Sequence, residues 1–205
     1  MAQYKTEQET FWATEFGDDY IDRNRSPKIL ASSISFFTSI LQRASTISSV
    51  MEFGANVGLN LVAIKNLLPE AKIAAVEINK KAYDVLAKID GVEAHNASVL
   101  EFETKEKFDL VFTKTVLIHI NPEELDKVYE KMYNASKKYI LVAEYYNPVP
   151  TKISYRGHEN RLFKRDFAGD LMEKYPDLKL VDYKFVYKRD NNFKQDDITW
   201  FLLEK

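Results

Sequence analysis

The chain has 205 residues, 45% hydrophobic and 29% charged, and its 29 Lys and Arg against 31 Asp and Glu leave a formal charge of -2. That length supports one domain with its own core, and the balance excludes the strongly basic surface that duplex nucleic acid selects. Cysteine is absent, so disulfides, thiolate nucleophiles and thiolate metal sites are excluded, and no metal site is expected.

The N-terminal "MAQYKTEQETFW" lacks the charged flank and apolar core of a signal peptide. No uncharged apolar run reaches the ~18 residues of a membrane span. A cytoplasmic protein with no membrane partner is the expectation, organised as one domain over 1–205. "TEQETFWATEFGDDYIDRN" and "KILASSISFFTSILQRA" read as two helices, an N-terminal helical cap over 1–45 covering one edge or the mouth of a site. Phe11, Trp12, Phe16 and Tyr20 read as the core of the first, with an acceptor platform as the alternative. The remainder, 46–205, alternates. Residues 48–53, 72–77, 92–96, 108–113 and 139–144 have the character of strands, mostly short, apolar and rich in β-branched or aromatic residues, as in buried parallel sheets. Helical spacing lies between them at Leu61, Ile64, Leu67 and Leu68, and at Ala82, Val85, Leu86 and Ile89. A third helix has Asn121 as cap, Pro122 in the first position and an apolar stripe of Leu125, Val128, Tyr129, Met132 and Tyr133. Strand, helix, strand in this order makes a Rossmann-like, doubly wound α/β sheet with helices on both faces. The chain closes with two strand-like runs, "LKLVDYKFVYKRD" and "DITWFLLEK", an antiparallel hairpin.

"MEFGANVGLN" holds two of the six glycines where the first strand runs into the first crossover helix. Glycine is needed where the chain takes positive φ or lets a ligand touch its backbone, and in open α/β sheets ligands sit at this turn. Glu77 ends the second strand, where an acid can accept both hydroxyls of a ribose. Glu52, Gly54, Gly58 and Glu77 together indicate an adenosine-containing ligand. A dinucleotide fingerprint wants G-x-G-x-x-G, yet Asn56 and Leu59 stand where its second and third glycines belong, and no G-x-x-x-x-G-K-[ST] phosphate loop occurs.

"EFGANVG" resembles instead the E/D-x-G-x-G-x-G turn of class I S-adenosylmethionine-dependent methyltransferases, with Asn56 for the middle glycine, a residue that tolerates left-handed φ. The terminal hairpin resembles that family's plan too, a mostly parallel sheet finished by an antiparallel pair. The resemblance implies S-adenosyl-L-methionine as cofactor, with S-adenosyl-L-homocysteine as product. It gives an adenine-contacting turn at Asn96, Ala97 and Ser98, without the acidic residue frequent there. From "FDLVFTKTVLIHINPEEL" it puts Lys114 and Thr115 beside the methionine part. "FGANVGLN", "TKTVLIHINPEEL", "QDDITWFLLEK" and the stretch from "AEYYNPVPTKISYRGHENRLFKRDF" onward resemble further the methylases associated with pseudaminic acid biosynthesis. That implies an acidic nine-carbon sugar, free or nucleotide-activated, as acceptor.

A methyl sulfonium is already activated, so the protein must chiefly align the acceptor, exclude water and assist loss of a proton. His119 is the first candidate base, with a packed or capping histidine as its alternative. Glu144, ending the fifth strand, is the second; it either hydrogen-bonds substrate or holds a neighbouring loop. Residues 145–163 read as a long connection, part of an inserted loop near 145–165, of a length that is usually functional or disordered. Lys152, Arg156, Arg161, Lys164 and Arg165 there face one acid, Glu159. Such a loop suits an anionic acceptor held by Tyr146, Asn147, Tyr155, Arg156, His158, Lys164 and Arg165, or is a solvated basic loop. A nicotinamide-dependent oxidoreductase and a non-catalytic Rossmann-like regulatory module are the competing functions.

Overall fold

The computed structural model describes residues 4–21 and 26–205. Seven strands form one sheet: β1 (Ser49–Phe53), β2 (Lys72–Glu77), β3 (Val92–Asn96), β4 (Phe108–Lys114), β5 (Ser136–Glu144), β8 (Lys179–Val186) and β9 (Ile198–Glu204). Their order is β3-β2-β1-β4-β5-β9-β8. The first five run parallel, and β9 enters antiparallel to both β5 and β8. This is the mostly parallel sheet with a terminal antiparallel hairpin expected from the pattern.

Alternation along the strands sorts the core into two layers. Met51, Phe53, Val76, Val111, Ile140 and Val142 face α6 (Leu125–Ala135) and α7 (Phe167–Lys174), meeting Val128, Tyr129, Met132 and Leu171. Val50, Ile73, Phe112, Leu141 and Trp200 face the opposite layer, built from α3 (Pro27–Leu41), α4 (Leu59–Leu67) and α5 (Lys80–Leu86). Each such buried side chain contributes about 1.5–3 kcal/mol relative to leaving it exposed. Phe36, Phe37 and Ile40 of α3 are among them. So α3, expected as part of a cap, is a layer of the core.

Two expectations change. The first predicted helix is two: α1 (Glu7–Ala13) and α2 (Glu15–Ile21), interrupted at Thr14, where φ is -119° and ψ is -149°. Asn79 explains the break, because its Nδ2 donates both to the Trp12 carbonyl at 3.2 Å and to Asp18 at 2.9 Å, pinning the two helices at an angle. Residues 22–24 of the predicted helix and the Tyr20 side chain lie outside the described residues. The predicted inserted loop contains a second, two-stranded sheet, β6 (Thr151–Tyr155) and β7 (His158–Lys164), with Arg156 and Gly157 as its turn. β6 is exposed along most of its length and β7 buries only Leu162 and Phe163, so neither carries an apolar run that would reveal it in sequence.

Candidate active site

After Phe53 the chain must turn into α4 within five residues, and it does so with Gly54, Asn56 and Gly58 at φ of 80°, 49° and 81°. A Cβ on Gly54 would stand 2.6 Å from the Val116 side chain, and one on Gly58 2.5 Å from Ile89. Both glycines therefore answer to close packing as well as to backbone sign. Asn56 takes the left-handed region its short polar side chain tolerates. Its N–H donates to Glu77 Oε2 at 2.6 Å, while Glu77 Oε1 accepts from the Asn79 N–H at 2.7 Å. Burial pushes the Glu77 carboxyl up, with the N–H groups of Asn79, Asn56 and Ile78 acting against it. Turn and acid are thus bonded directly.

Above them opens a cavity of about 490 Å³ at the C-terminal ends of β1, β2 and β4, where the strand order reverses. Gly54, Asn56, Glu77, Ser98, Lys114, Thr115, His119 and Arg156 line it. Gly58 does not line it. Asn96 and Ala97 do not reach it: Asn96 is exposed, its Nδ2 donating to the Glu77 carbonyl at 2.8 Å, and the Ala97 N–H donates to the same carbonyl at 3.2 Å. The predicted adenine-contacting turn is therefore reduced to Ser98, joined by Val99 and Leu100. An acid does stand there, from elsewhere in the chain: Glu9 of α1 lines the cavity and is hydrogen-bonded to the Ser98 hydroxyl.

Glu52 is sealed beneath the turn. Asn60 Nδ2 donates to its Oε1 at 2.7 Å, and its Oε2 has no partner among the described residues. Burial pushes this carboxyl up to about 8, against the Asn60 bond and the charge of Lys114. Lys114 is pushed down by burial, with Glu52, Asp196 and Glu144 opposing. Next to it, Thr115 sits at φ 56°, a strained backbone for a β-branched residue, held by its N–H to the Ala143 carbonyl at 2.9 Å.

His119 Nδ1 lies 2.6 Å from the carbonyl oxygen of Arg161. A carbonyl only accepts, so Nδ1 carries the proton and Nε2 is the free lone pair of the neutral ring. Burial pushes the imidazole down to about 4, the Arg161 bond acting the other way, and the ring stays neutral at ordinary pH. It packs against Trp12 at 4.5 Å and Tyr155 at 5.0 Å between ring centroids. Glu144 corrects the expectation of a second catalytic carboxylate. It does not line the cavity; its oxygens accept the N–H groups of Val116, Leu117 and Ile118 at 3.1, 3.1 and 3.4 Å. Burial raises it to about 7, against those bonds, and its work is to hold the turn that carries His119.

The predicted acceptor set also divides. Arg156, at φ 52° on the β6–β7 turn, reaches the cavity. Tyr155 and His158 stand behind its roof, Tyr155 against His119 and His158 against Phe11 and Phe16 at 5.0 and 5.7 Å. The other four do not line it. Arg165 is paired with Asp170 at 2.6 Å, and Lys164 sits over the Tyr145 ring. Asn147 Nδ2 donates to the Val149 carbonyl at 2.6 Å, and Tyr146 is exposed beside Phe201. Arg161 pairs with Glu7 at 3.0 Å. Local charge in sequence had suggested one cationic surface; neighbours from α1 and α7 absorb part of it.

Sequence reading missed Gln8 and Glu9 of α1, Ser33 of α3, and Lys194, Gln195 and Asp196 between β8 and β9, all on the cavity wall. Trp12, expected as helix core or as an acceptor platform, is on that wall as well. Among the described residues no group of three His, Asp or Glu side chains is placed to hold a metal ion.

Residues 51–138 match the family model described as a methyltransferase domain. No curated protein sequence matches the chain. Among solved structures it is similar to the plantazolicin methyltransferase BpumL in complex with SAH, at 13% identity and TM-score 0.67 over 97% of this chain and 93% of that one. It is also similar to coclaurine N-methyltransferase bound to N-methylheliamine and SAH, at 10% identity and TM-score 0.66 over 86% and 70%. An S-adenosylmethionine-dependent methyltransferase from Clostridium acetobutylicum ATCC 824 aligns at 13% identity and TM-score 0.63 over 91% and 95%. At these identities the likeness is one of fold.

Proposed function

We infer that this chain is a class I S-adenosylmethionine-dependent methyltransferase, from its methyltransferase domain over residues 51–138 and its fold, and that it methylates a small acidic acceptor. The observation that carries this reading is the left-handed Gly54–Gly58 turn hydrogen-bonded through Asn56 to Glu77 at the head of the cavity. The residues fit the cofactor. Glu77 offers acceptor positions to two ribose hydroxyls, Val99 and Leu100 give an apolar wall for the base, and Lys114 and Thr115 border the amino-acid end. When bound, S-adenosylmethionine supplies a methyl group already activated on a sulfonium.

The chain's own residues then do the rest. His119, neutral and fixed by the Arg161 carbonyl, offers Nε2 to the proton of the acceptor and orients the attacking atom. Trp12 on the cavity wall, with Tyr155 behind His119, excludes water. Arg156, held in strained backbone at its hairpin tip, presents a cation to an anionic group of the acceptor. With the pseudaminic-acid resemblance of the sequence, this favours pseudaminic acid or a related acidic sugar, free or nucleotide-linked. An amine acceptor is the second reading, favoured by the similarity to an N-methyltransferase and by a neutral His119 that accepts from N–H as readily as from O–H.

Labelled S-adenosylmethionine incubated with acidic nine-carbon sugars, their cytidine-linked forms and a set of small amines, with products read by mass, tests the reading. A gain of one methyl on an acidic sugar, lost in Arg156→Ala, is the expected result. Methyl gain confined to amines would replace the sugar reading.

A further inference from the structure

β8 closes the sheet at the end opposite β3 and, among the described residues, no strand pairs with its outer side. Which of its backbone groups lie open follows from β9. The Lys205 N–H donates to the Lys138 carbonyl at 2.8 Å, so the odd-numbered residues of β9 turn their backbone toward β5 and the even-numbered ones toward β8. Tyr183 stands opposite Phe201 and Phe185 opposite Thr199, so the N–H and carbonyl groups of Tyr183 and Phe185 face outward. The Tyr183 N–H donates to Asp182 Oδ1 at 2.8 Å, a local stand-in for a strand partner. The side chains are open too. Tyr183 is 61% and Phe185 53% exposed, and Tyr183 stacks on Phe201 at 5.9 Å between ring centroids, with Tyr146 beside the same ring at 5.8 Å. Large apolar side chains grouped on an unpaired edge mark a surface that meets another chain.

The charges on the strand say which chain. An antiparallel ladder sets outward-facing residues opposite outward-facing ones, so a two-fold pairing of β8 with itself must be centred on a residue and not between two. Centred on Asp182 or on Lys184, it sets like charges against each other; centred nearer either end, it overlaps little of the strand. Centred on Tyr183, it puts Asp182 of each copy opposite Lys184 of the other, at the non-hydrogen-bonded positions where cross-strand side chains come closest. Tyr183 then meets its own counterpart in a pair that exchanges both backbone hydrogen bonds. Lys184 by itself blunts the edge against a passing strand, and the bulge at Val181 keeps the ladder short. A strand carrying an acid opposite Lys184 removes the first obstacle, and β8 is such a strand. We propose that β8 is a self-association edge, through which two copies of this chain join about a two-fold axis at Tyr183 into one continuous sheet. The proposal is independent of the methyltransferase reading.

Sedimentation velocity of the full chain over a range of concentrations tests it. Wild type should sediment with the mass of two chains and dissociate to one on dilution. Asp182→Lys and Lys184→Asp each set like charges together on both sides of the axis, and each should weaken the dimer by at least about tenfold. An equimolar mixture of these two variants places the lysines of one chain opposite the aspartates of the other, and should restore the two-chain mass. Tyr183→Glu, which sets two carboxylates on the axis, should also sediment as one chain. A wild type that stays a single chain at every concentration, or that grows beyond two, overturns the proposal. So does a dimer that the single variants leave as tight, since the copies then meet on another surface, and so does a mixture no tighter than its components. Lys184→Asp leaves the Arg43–Asp182 ion pair at 3.1 Å in place, so with Tyr183→Glu it carries the comparison even if Asp182→Lys folds poorly.

Discussion

Glu52 and His119 are both buried, and burial drives each toward its neutral form. For Glu52 the folded carboxyl titrates near 8, above its ordinary 4.5, so the native state holds a proton that the unfolded chain has released. Stability from this group is present below about 4.5 and declines as pH rises toward 8. Glu52→Gln keeps the Asn60 hydrogen bond and removes the titration. Its melting temperature should match wild type near pH 4.5 and exceed it at pH 8; equal pH dependence in the two proteins would show Glu52 to be charged when folded. For His119, the low folded value means that the ring stays unprotonated down to about pH 4. His119→Asn should lower kcat by about 10²-fold with little change in KM. The wild-type profile should lack an inflection near 6.5, and an inflection there that disappears in the variant would contradict the neutral assignment. Part of this was legible in sequence at the turn: spacing pointed to Gly54, Gly58 and Glu77, and the resemblance to the E/D-x-G-x-G-x-G turn brought in Asn56, a residue able to take left-handed φ. Glu144 was not, because a strand-end carboxylate looks the same whether it faces a ligand or the N–H groups of Val116, Leu117 and Ile118.

The crossover helices and parallel strands could be read from their periodicity, since buried strands need apolar residues on both faces. The broken helix at Thr14 and the β6–β7 hairpin could not. Thr14 marks a break because of Asn79, 65 positions away, and no local propensity records a tertiary anchor of that kind. The hairpin had a readable turn, Arg156-Gly157 between Tyr155 and His158, but β6 is only five residues long and mostly exposed, and β7 opens on four polar residues and buries only Leu162 and Phe163. Asn79 also caps α5, its Oδ1 accepting from the Ala82 N–H at 2.9 Å. Asn79→Ala should therefore cost more than the cap alone, which is about 1 kcal/mol. Hydrogen exchange should show α1 and α2 loosened together. Protection lost only in α5 would mean that the helices are held elsewhere.

Across the whole molecule, the ends of the sheet have different duties. At the end away from the cavity Asp109 accepts from the Ser48 N–H at 2.8 Å, the Ser48 hydroxyl at 2.5 Å and the Ser49 N–H at 3.1 Å, tying the starts of β1 and β4. Burial opposes its charge, but these bonds and Lys137 outweigh it and hold the carboxyl down at about 2. Its stabilising effect is present above the ordinary value of 3.8 and is lost as pH falls through 2. Asp109→Asn should lower the urea midpoint at pH 7 and leave it nearly unchanged at pH 2; an equal loss at both would assign the effect to packing. The opposite end, where β1, β2 and β4 finish, carries the cavity, and the central claim is that it holds an adenosyl group through Glu77. Calorimetric titration of S-adenosylhomocysteine into wild type and Glu77→Ala tests this most directly. Saturable binding to wild type, at least about tenfold weaker in the variant, is the result expected from loss of a carboxylate that accepts two ribose hydroxyls. No binding to wild type, or equal binding to both proteins, would contradict it.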